Sequence, residues 1–76
     1  MTDIQEYAIV VERAESGGNW CGYSPDVPGV IATDSTAEAT AERLRGALEL
    51  HLKVMANEGM PLPVPSALVR MVKIAA

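Results

Sequence analysis

The chain lacks most of the devices that staple a small protein. It holds one cysteine, Cys21, so no internal disulfide can form. One histidine, His51, beside that lone thiol excludes a Cys/His zinc site. Bases are few: six against ten acids, a formal charge of −4. That balance argues against unaided binding to DNA or RNA and suits a basic protein partner. Long apolar runs are also missing. The longest purely aliphatic stretch is Ala8 to Val11, far below the ~18 residues a membrane-spanning helix needs. The start, Met1–Thr2–Asp3–Ile4, has neither the basic nor the apolar region of a secretory signal. A lone thiol without an export signal fits a reducing cytoplasm, and a cytoplasmic location is expected.

What is present is one globular domain. Apolar residues make up 49% of 76 residues, too many for a disordered chain. Residues 1–76 suffice for a single core. A domain of this size buries only about 60% of the surface its unfolded chain exposes. Its core rarely supplies more than ~3–5 kcal/mol. With disulfide and zinc excluded, a partner subunit is the expected reinforcement.

Four strands and one helix are predicted. Ile4 to Arg13 reads as a strand, with Tyr7, Ile9 and Val11 on one face and Glu6, Ala8, Val10 and Glu12 on the other. Glu15–Ser16–Gly17–Gly18–Asn19 supplies a hairpin turn. Trp20 to Ser24 forms the second strand; Trp20, Gly22 and Ser24 oppose Cys21 and Tyr23. Two prolines and a glycine in Ser24–Pro25–Asp26–Val27–Pro28–Gly29 break the ladder, and Val30 to Thr33 makes a short third strand. The three form an antiparallel meander.

Ser35–Thr36–Ala37–Glu38 has capping-box spacing, with Ser35 as the cap. The helix then runs from Thr36 to Asn57. Ala41, Leu44, Ala47, Leu48, His51, Leu52 and Met55 form its apolar stripe, and Leu50 and Val54 widen it for an extra contact. Glu49 and Lys53 are spaced for an ion pair, and Gly59 stands at the C-terminal cap. Pro61, Pro63 and Pro65 hold the following segment extended. Leu68 to Ile74 is the predicted last strand. The order β-β-β-α-β gives a two-layer α+β domain, with one long helix packed on one sheet face. The other face, or an edge such as the last strand, invites a second copy, so a homodimer or higher oligomer is expected.

Catalytic constellations are weak throughout. A serine nucleophile needs a base, and His51, the one candidate, lies mid-helix on the stripe. Cys21 lies in a strand with no neighbouring base or second thiol to activate it. Gly17–Gly18 lacks the Lys-Ser/Thr of a phosphate loop. Glu12, Asp26, Asp34, Glu38 and Glu42 suggest a two-metal nuclease cluster, yet the last strand carries no acid to complete it. No catalytic residue, metal or cofactor is expected.

Six pieces in order then point to a family. They are Tyr7–Ala8–Ile9–Val10–Val11–Glu12, Gly17–Gly18–Asn19–Trp20, Pro25–Asp26–Val27–Pro28–Gly29, Asp34–Ser35–Thr36–Ala37–Glu38–Ala39, Ala47–Leu48–Glu49–Leu50–His51–Leu52 and Glu58–Gly59–Met60–Pro61–Leu62–Pro63. Together, over Tyr7 to Pro65, they resemble the HicB-like antitoxin domain of toxin–antitoxin systems. Val30 stands where members often have cysteine, and Asp34–Ser35–Thr36 where they often have Gly-Asp-Thr.

The resemblance implies a partly degraded ribonuclease H-like fold without nuclease activity. It implies binding to a small basic HicA-type toxin, a ribonuclease that cuts mRNA. Many relatives add a C-terminal DNA-binding module, and none is expected after the last strand here. The expected mechanism is occlusion of the toxin's basic surface by an acidic partner. Trp20, Tyr23, Asp26, Val27 and Pro28 are the candidate partner-binding residues, as aromatic anchors on a rigid turn. The same residues read equally well as a joining turn and core filler. Two other readings stay open: a solitary oligomeric domain with no toxin, and a metal-dependent nuclease.

Overall fold

The computed structural model describes residues 4–15 and 17–76; Met1–Asp3 and Ser16 lie outside them. The elements are β1 (Val10–Arg13), β2 (Trp20–Ser24), β3 (Val27–Asp34) and α1 (Ala37–Asn57). The strands form one antiparallel sheet in the order β1-β2-β3, and α1 lies across one face, packed most heavily on β3. The α+β class stands as expected.

Register explains which residues share a face. Val11 pairs with Gly22 and Gly22 with Ala32. This row faces the helix, because a Cβ built on Gly22 would lie 3.2 Å from both Leu44 and Thr40 side chains. The next row, Val10, Tyr23 and Ile31, faces away, as does Glu12, Cys21 and Thr33. The core is Val27, Val30, Ala32, Leu44 and Leu48, bordered by Tyr7, Ile9, Ala47 and Leu52.

The first strand is shorter than the predicted Ile4 to Arg13. Its ladder stops at Val10 because β2 stops at Ser24 and leaves no partner beyond Tyr23. The buried Ser24 hydroxyl instead donates to the Ala8 carbonyl at 2.7 Å. The Gly17–Gly18 turn forms as expected, with both residues at positive φ, and Ala14 N–H donates to the Asn19 carbonyl.

The third strand is longer than Val30 to Thr33. Ser24 pairs with Val27, so only Pro25–Asp26 make the turn; Tyr23 then pairs with Ile31, and the register shift bulges out Pro28–Gly29–Val30. Gly29, at φ +87°, permits that bulge.

The helix cap is shifted by one residue from the predicted capping box. Thr36, not Ser35, has the extended cap conformation, and its hydroxyl accepts from Ala39 N–H at 3.0 Å. Ser35 N–H is taken by the Asp34 carboxylate at 2.7 Å, which leaves Thr36 to close the helix. Thr40, absent from the predicted stripe, is wholly buried; its hydroxyl donates back to the Thr36 carbonyl at 2.8 Å and so needs no other partner. His51, placed on the stripe by sequence, is exposed. Glu49 pairs with Arg45 at 3.0 Å rather than with Lys53, because Arg45 also holds Glu42 and bridges both acids.

At the C-terminal end Gly59, at φ +72°, donates to the Ala56 carbonyl, and Met60 N–H donates to that of Met55. This is a Schellman closure.

The predicted strand Leu68 to Ile74 is not formed. Residues 60–76 carry no regular secondary structure. Its apolar residues Leu68, Val69, Met71, Val72 and Ile74 are 62–94% exposed. The sequence pattern of a strand is there, but a strand needs an edge to pair with. The polyproline segment is tied instead at the end of the sheet.

Candidate functional site

Sequence order brings three surfaces to the end of the sheet where β2 turns into β3. The first is the open sheet face. Val10, Tyr23 and Ile31 form a cross-strand row there, with Tyr23 40% and Ile31 69% exposed. Cys21 lies half-buried beside them, flanked by exposed Glu12 and Thr33.

The second surface is the turn, where Asp26 acts as a latch. Its carboxylate accepts from Ser66 N–H at 3.1 Å, Ser66 Oγ at 2.9 Å and Ala67 N–H at 3.0 Å. The bond from the Ala67 N–H, followed by those from Ser66, holds the Asp26 carboxyl below its ordinary value despite partial desolvation. Nearby, the Tyr7 hydroxyl donates to the Pro63 carbonyl at 2.7 Å. These contacts fasten residues 63–67 across the end of the sheet. Sequence reasoning placed Asp26 on a partner surface and did not foresee this latch. Both partners are short polar residues beside prolines, and nothing in either segment names the other.

The third surface is a groove of about 610 Å³ between residues 5–9 and the C-terminal half of α1. Tyr7, Ile9, Leu48, Leu52 and Leu62 give it apolar walls, and Arg45, Glu49 and Lys53 stand among the charged groups lining it. On the opposite flank of α1, a shallower cleft is lined by Ile31, Leu50 and Val54, the last two exposed as the widened stripe implied.

The five candidate contact residues do not form one patch. Tyr23, Asp26 and Pro28 gather at the turn. Trp20 lies three residues back along β2 from Tyr23, about 10 Å away, where the Arg13 guanidinium stacks 4.9 Å from its ring centroid. Val27 is 1% exposed and belongs to the core; it offers no side-chain surface to a partner. Three of the five acids considered for a metal cluster are separately engaged: Asp34 with Ser35 and Arg43, Glu42 with Arg45, Asp26 with the latch. Bonds from Ser35 N–H and then Arg43 lower the Asp34 carboxyl, and Arg45 lowers that of Glu42. Among the described residues, no three His, Cys, Asp or Glu side chains come close enough to hold a metal ion. No helix among them is long and apolar enough to cross a membrane.

These features define a small α+β domain with one sheet face covered by a helix and the other carrying an exposed apolar row. Residues 7–63 match the family described as UPF0150-like, and the chain belongs to that family. No curated protein and no solved structure matches it.

Proposed function

We propose that this protein is a non-catalytic, antitoxin-like binding module that blocks a small basic HicA-type ribonuclease. The observation that carries the reading is the open sheet face. Val10, Tyr23 and Ile31 offer an apolar strip next to Glu12, on a chain whose ten acids all lie within residues 1–59 against four of its six bases. Membership of the UPF0150-like family over residues 7–63 supports it, because that span coincides with the HicB-like pieces in the sequence.

The mechanism is occlusion. An aromatic anchor, Tyr23, and an aliphatic one, Ile31, dock on the toxin, while surrounding carboxylates oppose its RNA-binding cations. Asp26 and Pro28 lie at the turn end of the strip, Val27 supports it from the core, and Trp20 stands apart on the other sheet face. The module needs no metal or cofactor, acts as a homodimer in the cytoplasm, and touches no nucleic acid itself.

The test is co-expression with a small basic protein encoded beside it. Rescue of growth and co-purification are expected. Tyr23→Ala and Ile31→Asp should each weaken the complex roughly tenfold or more. Absence of both rescue and complex at micromolar concentration overturns the reading. A second reading is a solitary self-assembling domain, favoured by the 62–94% exposed apolar residues of the C-terminal segment. It predicts self-association with no toxin-dependent phenotype.

A further inference from the structure

We infer that Leu68–Ile74 of one copy adds as a strand to the outer edge of β1 in a second copy, giving a two-fold dimer by reciprocal exchange. The inference does not rest on the antitoxin reading, because it concerns an edge and a segment rather than the open face.

The segment has the composition of a strand and no partner. Val69, Met71 and Lys73 alternate with Leu68, Arg70, Val72 and Ile74, and none of the seven is buried. The Asp26 bonds to Ser66 and Ala67 fix the point from which it leaves the body. It is therefore anchored at its root and unpaired along its length. Seven residues span about 23 Å, against about 13 Å for the four of β1.

Two sheet edges are open, β1 and β3, and they differ in how well they are guarded. The β3 edge carries Pro28, which has no N–H, and the bulge at Gly29; both are features that blunt an edge. The described residues of β1 carry neither, and among them no backbone hydrogen bond outside its pairing with β2 involves Val10–Arg13. The 610 Å³ groove lies on this side, so a strand added here would carry its inward residues toward Ile9, Leu48 and Leu52.

Charge is compatible with the same edge. Residues 60–76 hold Arg70 and Lys73 and no acid, leaving four bases against ten acids in the rest. Glu6, Glu12 and Glu15 lie along β1 and its flanks with Arg13, and Glu49 lines the groove with Arg45 and Lys53, four acids against three bases. Exchanged reciprocally between the same two copies, the arms close the assembly at two and leave neither β1 edge unpaired.

The test uses the full chain and its Val72→Pro variant. Val72 is 72% exposed, so proline there leaves the fold intact, checked by an unchanged helical circular dichroism signal, while it removes one ladder donor and disfavours pairing. Light scattering across micromolar concentrations should give a dimer for the parent chain and a roughly tenfold or weaker association for the variant. Carbodiimide coupling of Lys73 to acids near β1, on mixed ¹⁴N and ¹⁵N protein, should give isotopically mixed cross-links. A monomeric parent, a variant that dimerises as well as the parent, cross-links that are only unmixed, or none at all each overturns the exchange. A dimer that persists without toxin binding would instead leave the exchange standing and remove the antitoxin reading.

Discussion

At the scale of single residues, the helix start shows how one hydrogen bond relocates a signal. Ser35, Thr36 and Glu38 make a legible cap in the sequence, but Asp34 captures the Ser35 amide and Thr36 takes the cap. Thr36→Ala should therefore cost about 0.5–2 kcal/mol, and Ser35→Ala clearly less; chemical denaturation of both variants measures the difference, and a reversed order would restore the predicted box. Asp26 carries a second consequence. Its carboxyl is lowered chiefly by the Ala67 N–H, so its folded pKa lies below the unfolded value of about 3.9. The latch is then fully made above that ordinary value and is lost as pH falls through the lower, folded one. Backbone amide resonances of Ser66 and Ala67 should follow that titration in acid. Asp26→Asn should abolish the acid step, and a step that survives in the variant would assign it to another carboxyl.

Elements were legible where a pattern also had a partner within reach. The meander, the glycine turn, the long helix and its Gly59 closure all follow from local chemistry plus an apolar stripe, and the structure contains them. Ile4–Ile9 and Leu68–Ile74 have equally good strand patterns but no opposing ladder in the chain. Alternation marks a strand's faces and says nothing of its partner, so pairing was the illegible part. The candidate site divides the same way: Tyr23, on the face opposite Gly22, stands 40% exposed, while Val27 is buried behind a bulge that periodicity does not reveal. Helix and sheet meet closely at Gly22, where any side chain would press on Leu44 and Thr40. Gly22→Val should thus destabilise by about 1–3 kcal/mol through overpacking, despite valine's preference for strands. A urea midpoint at or above that of the parent would show that α1 can shift outward to admit it.

For the molecule as a whole, size sets the tolerance to damage. A core built from Val27, Val30, Ala32, Leu44 and Leu48, with no disulfide to restrict the unfolded chain, leaves a margin of only ~3–5 kcal/mol. Leu44 is completely buried against Gly22 and the sheet. Leu44→Ala removes about 2–5 kcal/mol in a site of this kind, comparable to the entire margin, so the isolated subunit should be substantially unfolded at 25 °C. Leu50 lies on the same helix at 64% exposure, and Leu50→Ala should stay within about 0.5 kcal/mol of the parent. The pair separates burial from helix propensity, since both replace leucine by alanine in one helix. Subunit exchange adds a further dependence. If a second copy supplies stability, the Leu44→Ala chain regains helical signal as its concentration rises, because association draws the folded form. Circular dichroism at low and high micromolar concentration measures this, and a folded fraction independent of concentration would show that each subunit stands on its own core.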